Sequence, residues 1–249
     1  MDNTTQYGQM DFNLPHDVVT LPSKGRFYKN KKSSLKVGYL TAADENILLG
    51  QNTDGDIIQI LLKNKIYEPD FHVDQLLDCD IEAILIFLRN TSFGSEYTFM
   101  LKDPKTLKDF EATTTLDELD IKKPKMEPND KGYFEFKLPK TGALVECRLL
   151  TVADQKIIRE FENAYPKGMT APVITKRMEM QIMSVDGNED KGQIVQWIQQ
   201  LPIADSKYIR NTLKDCEPRL DLERVFIAPS GEKVSTTIAF GAEFFRPFF

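Results

Sequence analysis

The side chains best suited to chemistry in this 249-residue chain are two histidines, three cysteines and a run of acids. His16 follows Pro15, and His72 lies between Phe71 and Val73. Either could serve as general base to a serine, but that device places the serine on a sharp strand-to-helix turn, and no G-x-S-x-G sequence occurs. No glycine-rich run ends in Gly-Lys-Ser/Thr to cradle a phosphate. Asp70, Asp74, Asp78, Asp80 and Glu82 could ligate a metal or share a proton, yet beside their apolar neighbours they read as helix caps and a solvated face. Asn52-Thr53-Asp54-Gly55-Asp56 opens like a calcium loop, but no glutamate closes it at the twelfth position. Cys79, Cys147 and Cys216 lack metal-ligand spacing and fit a reducing compartment. Two turns, Asp103-Pro104-Lys105-Thr106 and Ala228-Pro229-Ser230-Gly231, stand between strands where a zinc knuckle would carry Cys-Pro-x-Cys. Neither holds a cysteine, so tetrahedral thiolate ligation is ruled out there. The expectation is no catalytic residue, no cofactor and no metal: a protein that is not an enzyme and works through its surfaces.

Composition narrows the partners. A net charge of -6 gives no basic excess to displace counterions from phosphates, so nucleic acid is not expected. The basic clusters Lys29-Asn30-Lys31-Lys32 and Lys122-Lys123-Pro124-Lys125 are short and read as solvated loops. Hydrophobic residues at 41% and charged residues at 28% are ordinary for a globular domain with a real core. The first twenty residues are polar, with no apolar leader segment. The longest apolar run, Ile81 to Leu88, is interrupted by Glu82 and falls well short of the ~18–20 residues that span a bilayer. Neither a membrane nor a small-molecule substrate is expected, and the cytoplasm is the expected location.

The elements that would position these residues carry a pattern twice. Leu21-Pro22-Ser23-Lys24-Gly25 precedes a strand-like stretch and then Leu40-Thr41-Ala42-Ala43-Asp44. Leu138-Pro139-Lys140-Thr141-Gly142 precedes another strand-like stretch and then Leu150-Thr151-Val152-Ala153-Asp154. In each, proline presets φ for a turn and glycine can take the positive φ that closes it. Thr-x-x-Asp then writes a helix start, since the threonine can accept from the first-turn N–H groups and the aspartate can return a bond. Such a cap contributes ~1 kcal/mol. Asp56, Asp80 and Asp205 are expected to cap three further helices, and Gly94 to stop the second of these. Val173 to Val185 reads as one helix, and Met169, Met178, Met180 and Met183 read as a local core cluster.

The middle of the chain has strand period. Segments beginning at Glu96, Lys108, Tyr133 and Leu144 alternate as a β-meander of about four strands, with Lys122 to Lys131 as an exposed loop. The predicted fold is α+β: a central antiparallel β-meander flanked by helical segments, with a short C-terminal β-hairpin and a candidate duplicated turn-strand-helix unit. The expected segments are a flexible arm at 1–15, a mostly helical lobe at 16–94, the meander at 95–150, and a helical lobe ending in a hairpin at 151–249.

With the LPSKG turn, the LTxADExIL helix start, the second LP-x-x-G and LT-x-AD, and the closing Phe-Phe-Arg-Pro on view, the chain resembles a known family. It is similar, from about Val18 to Pro247, to the baseplate hub assembly proteins of T-even-type contractile-tailed phages, most closely those that act as hub assembly catalysts. The resemblance implies a late phage protein that promotes formation of the baseplate central hub in the host bacterial cytoplasm and is absent from the mature virion, with hub proteins as partners. Other members are treated as hub components, so a structural subunit retained in the virion is the alternative. Relatives often carry cysteine pairs at the two knuckle positions, where this sequence has Asp103, Thr106 and Ala228.

The expected partner-binding residues are Lys24, Arg26, Phe27 and Tyr28 of the first turn, with Phe245, Arg246, Phe248 and Phe249 at the C-terminus. Four phenylalanines among the last six residues would be unfavourable in water, since burying each is worth ~1.5–3 kcal/mol. They either fill the chain's own core or form a patch offered to a partner.

Overall fold

The computed structural model describes residues 15–49, 54–117 and 119–245. Most of the expected arm, together with Arg246, Phe248 and Phe249, lies outside the described residues. The elements run β1 (His16–Thr20), β2 (Ser34–Gly38), α1 (Ala42–Leu48), α2 (Asp54–Lys65), α3 (Asp78–Phe93), β3 (Glu96–Lys102), β4 (Asp109–Thr115), β5 (Ile121–Lys122), β6 (Phe134–Lys137), β7 (Leu144–Cys147), α4 (Val152–Asn163), α5 (Val173–Gln181), β8 (Ile182–Val185), α6 (Lys191–Gln199), α7 (Ile203–Cys216), β9 (Arg219–Leu220), β10 (Glu223–Ile227) and β11 (Lys233–Thr237). The fold is α+β, with small antiparallel sheets and a C-terminal hairpin, as the sequence predicts.

Several details differ from expectation. The four meander strands form, but they divide between two sheets: β3 pairs with β4, whereas β6 and β7 join β8. Both edges of β7 are taken, by β6 and by β8, the segment that follows α5, and β4 pairs with β3 alone. The helix expected through Val185 therefore ends at Gln181; Ile182 and Ser184 then alternate inward as β8. Of the methionine group, Met178 is buried and Met169 is exposed. α2 begins at Asp54, two residues before its expected cap. Asp54 to Asp56 are thus helical, which removes the loop backbone a calcium site needs.

The repeated pattern is a repeated structure. In the first copy β1 and β2 pair across the LPSKG turn, α1 and α2 follow, and the chain returns to β2 through a bridge of Ile66 to Val37. In the second, β6 and β7 pair across LPKTG, α4 and α5 follow, and β8 returns to β7. Gly25 and Gly142 take φ of 71° and 72°, the left-handed values the turns require. Both Thr-x-x-Asp starts close as capping boxes. Each capping aspartate also binds a cation: Asp44 pairs with Lys65, and Asp154 takes the Arg148 guanidinium at 2.5 and 2.9 Å. Burial opposes ionisation of both, but Lys65 and Thr41, and Arg148 and Thr151, outweigh it and hold both carboxyls below their ordinary range.

Asp80 and Asp205 correct the expected caps. Each is the third residue of its helix, after Leu77 and Pro202 at the cap positions of α3 and α7. Both are buried, and both turn outward from the helix onto the turn of one copy. Asp80 accepts from the Ser23 N–H at 2.9 Å, and Asp205 accepts from the Lys140 and Thr141 N–H groups at 2.8 Å each. One apolar cluster runs through both copies, and α3 lies within it against β1 and β9. Arg89 near the end of α3 is buried, with its guanidinium 5.1 Å from the Tyr97 ring and 5.7 Å from that of Phe244. Its nitrogens donate to the carbonyls of Gly94 and Glu96. The closing aromatics thus seat on a cation: Phe244 and Phe245 are both fully buried, with rings 5.1 Å apart.

Candidate functional site

Where the second copy turns in six residues, Leu138 to Ala143, the first spends thirteen, Leu21 to Ser33, between its strands. A chain of short turns builds this loop, in which the N–H groups of Lys24, Arg26, Tyr28 and Lys31 each donate to the carbonyl three residues back. Gly25 cannot be replaced: a Cβ there would lie 2.4 Å from the Lys31 carbonyl oxygen and 2.6 Å from that of Lys32. Lys24 and Lys31 also hold positive φ, 52° each, a conformation unfavourable to residues with a Cβ.

Asp80 anchors the loop from inside. The Tyr28 hydroxyl donates to its second oxygen and accepts from the Leu77 N–H at 3.2 Å. Burial is the main force raising the Asp80 carboxyl, and the Ser23 and Tyr28 bonds only partly offset it. Burial followed by the Asp80 charge pushes the Tyr28 phenol far above its ordinary value, so Tyr28 is a permanent donor here. The loop also reaches the second half of the chain. Arg26 pairs with Glu127, Phe27 packs its ring 5.7 Å from Phe134, and the Lys31 ammonium donates to the Asp130 carbonyl at 3.1 Å.

The expected partner-binding residues therefore separate. Tyr28 and Phe245 are buried and do internal work. Lys24 and Arg26 are exposed and Phe27 is half-buried, all facing a cleft of about 370 Å³. Pro22, Pro124, Pro128 and Pro218 give its walls a rigid apolar character, and Lys123 adds a third cation at its rim. Glu127, which pairs with Arg26, also lines the cleft. The sequence singled out the first turn, but not the proline wall opposite, because Pro124 and Pro218 meet it only through the tertiary fold. A larger cleft of about 950 Å³ lies between the two copies, with Lys63, Lys156, Arg159 and Arg177 among its lining residues.

The residues suited to chemistry are dispersed. His16 sits in β1 with its ring 6.1 Å from Tyr67, and His72 precedes a 3-10 turn at Val73–Gln75. No group of three or more His, Cys, Asp or Glu among the described residues is arranged to hold a metal. All three thiols are buried, and burial raises each pKa, that of Cys147 to about 12, which disfavours the nucleophilic thiolate. Sequence reading missed one carboxyl pair. Burial, then repulsion from neighbouring acids, raises Glu82 of α3 and Glu217, which follows α7, each to about 7, beside the place where β9 packs on α3. Among the described residues no helix is long and apolar enough to cross a membrane.

Two copies of one α+β unit are joined through a common core, and the first presents a braced loop. A family model described as T4 bacteriophage base plate protein matches residues 15–246, and the chain belongs to that family. No curated protein and no solved structure matches the chain.

Proposed function

We propose that this chain is an assembly factor for the baseplate hub, which binds hub proteins transiently in the bacterial cytoplasm, acts without catalysing a reaction, and leaves before the virion is complete. Membership of the baseplate family supports baseplate proteins as partners. The observation that carries the reading is the asymmetry between the two copies. The second turn is only as long as its hairpin needs, whereas the first is enlarged, clamped on Asp80 and braced against the residue 127–133 loop. Rigid presentation of Lys24, Arg26 and Phe27 lowers the entropy lost on docking. The rim cations speed encounter with an acidic surface, and the apolar walls retain it. Release follows when a later subunit competes for the same segment.

The alternative is a structural subunit retained in the virion, which the braced loop suits equally as a permanent joint. Quantitative mass spectrometry of purified tails separates the two. An assembly factor is found in infected-cell extracts and is absent from tails; stoichiometric copies in tails establish the subunit instead.

A further inference from the structure

We propose that the tip of the β3–β4 hairpin is a second docking surface, which inserts Leu107 into an apolar, carboxylate-rimmed pocket of another baseplate protein. It rests on the reading of the chain as a binder of baseplate proteins, but it uses a different surface from the Lys24 loop.

Leu107 holds φ of 59° while being 71% exposed. A branched aliphatic residue is disfavoured in that region, where glycine or asparagine is the usual occupant, so folding of the hairpin does not call for leucine. Burial does not call for it either. The tip is nonetheless fixed. The Asp103 N–H donates to the Lys108 carbonyl at 2.9 Å, and the Leu107 N–H donates to the Asp103 carbonyl at 2.9 Å. The Asp103 carboxylate accepts from the N–H groups of Lys105 at 2.9 Å and Thr106 at 3.2 Å, and from Ser230 of the neighbouring hairpin. Phe99 and Phe226 pack at 5.5 Å behind it. Leu107 is therefore held out on a rigid base, which suits an anchor residue.

The chemistry of the partner follows from the rim. Residues 103–109, Asp-Pro-Lys-Thr-Leu-Lys-Asp, carry two cations and two anions, but the Asp103 carboxylate is turned inward onto its own turn and Ser230, and Asp109 lies opposite Lys102, which leaves Lys105 and Lys108 as the cations beside Leu107. Neither Lys105 nor Lys108 has an ion pair among the described residues, whereas Lys32, Lys65, Lys122, Lys125 and Lys176 do. On the adjoining hairpin Ile227 is 72% exposed opposite Lys233, which repeats the apolar-cationic pairing. A pocket that takes a leucine and presents carboxylates at its edge complements this tip.

The test uses the full chain and the purified baseplate hub proteins of the same phage, immobilised one at a time. The wild-type chain binds at least one of them. Leu107→Gly, which relieves the left-handed leucine, keeps or raises the melting temperature yet weakens that binding about tenfold or more. Lys105→Glu with Lys108→Glu weakens it at low salt and loses its effect at high salt. Binding of the Leu107→Gly chain within about twofold of wild type overturns the proposal, as does indifference to the lysine reversals. Lys24→Glu with Arg26→Glu is measured in parallel. If that variant alone loses affinity, the tip is refuted and the loop reading stands; if the wild-type chain binds no hub protein, both fall.

Discussion

The Ser230 hydroxyl donates to Asp103 at 2.8 Å and its N–H donates to the other carboxylate oxygen at 3.1 Å, so one carboxylate joins two hairpins 127 residues apart. The two knuckle-like turns, neither of which has a cysteine, are thus pinned by hydrogen bonds. Burial opposes ionisation of Asp103, but the Ser230 hydroxyl and the N–H groups of Lys105, Thr106 and Ser230 prevail and hold the carboxyl at about 2. A depressed carboxyl stabilises the fold above its unfolded pKa of about 4, and that contribution is lost as pH falls toward 2. Ser230→Ala lowers the melting temperature at pH 7 by about 2–4 °C, and the deficit shrinks below pH 4. An equal deficit at pH 7 and pH 2.5 contradicts the pin.

Tyr28→Phe removes the donor that Asp80 uses and leaves the Leu77 N–H without its acceptor. The expected loss is about 1–3 kcal/mol in urea unfolding. The folded pKa of Asp80 is already raised by burial, so the stability it contributes is greatest below the unfolded value and declines as pH rises through the folded one. Loss of the tyrosine raises that pKa further. The deficit is accordingly larger at pH 7 than at pH 4, and a deficit independent of pH would argue against the pairing.

Glu82 and Glu217 give a similar sign near neutrality. Both carboxyls are raised to about 7 by burial and by neighbouring acids. Their stabilising effect is complete below the unfolded value of about 4.3 and is lost as pH rises through 7, so the chain melts at a lower temperature at pH 8 than at pH 6. Glu82→Gln flattens that slope. Thermal melts across this range check it, and an unchanged slope in the variant contradicts the assignment.

Phe244→Ala empties a fully buried site and removes a ring from the Arg89 guanidinium. The expected loss is about 3–5 kcal/mol, which differential scanning calorimetry would register. A small loss would mean the C-terminal aromatics are not core.

The local grammar was legible because it is local. Pro22, Gly25, Thr41 and Asp44, and their counterparts Pro139, Gly142, Thr151 and Asp154, act within a few residues of one another, and their turns and caps form as expected. Asp80 and Asp205 show where that reasoning stops. An acid near a helix start is consistent with a cap, and only the tertiary fold reveals that Asp80 reaches 57 residues back to its turn and Asp205 at least 64. The same limit applies at Ile182 and Ser184, whose surroundings suit a helix until β7 offers them an edge. Within the candidate site Lys24, Arg26 and Phe27 could be named in advance, but not the inward direction of Tyr28 or the proline wall that faces them.

The most direct measurement of the central claim is hub assembly by a chain carrying Lys24→Glu and Arg26→Glu, supplied to cells infected with phage lacking a working copy. Both side chains are exposed; reversing Arg26 also removes its surface pair with Glu127, which costs about 1 kcal/mol or less, so the variant stays folded. The account predicts that such a folded variant leaves completed hubs scarce. Hubs in wild-type number, from a chain with reversed charge at the loop, would contradict it.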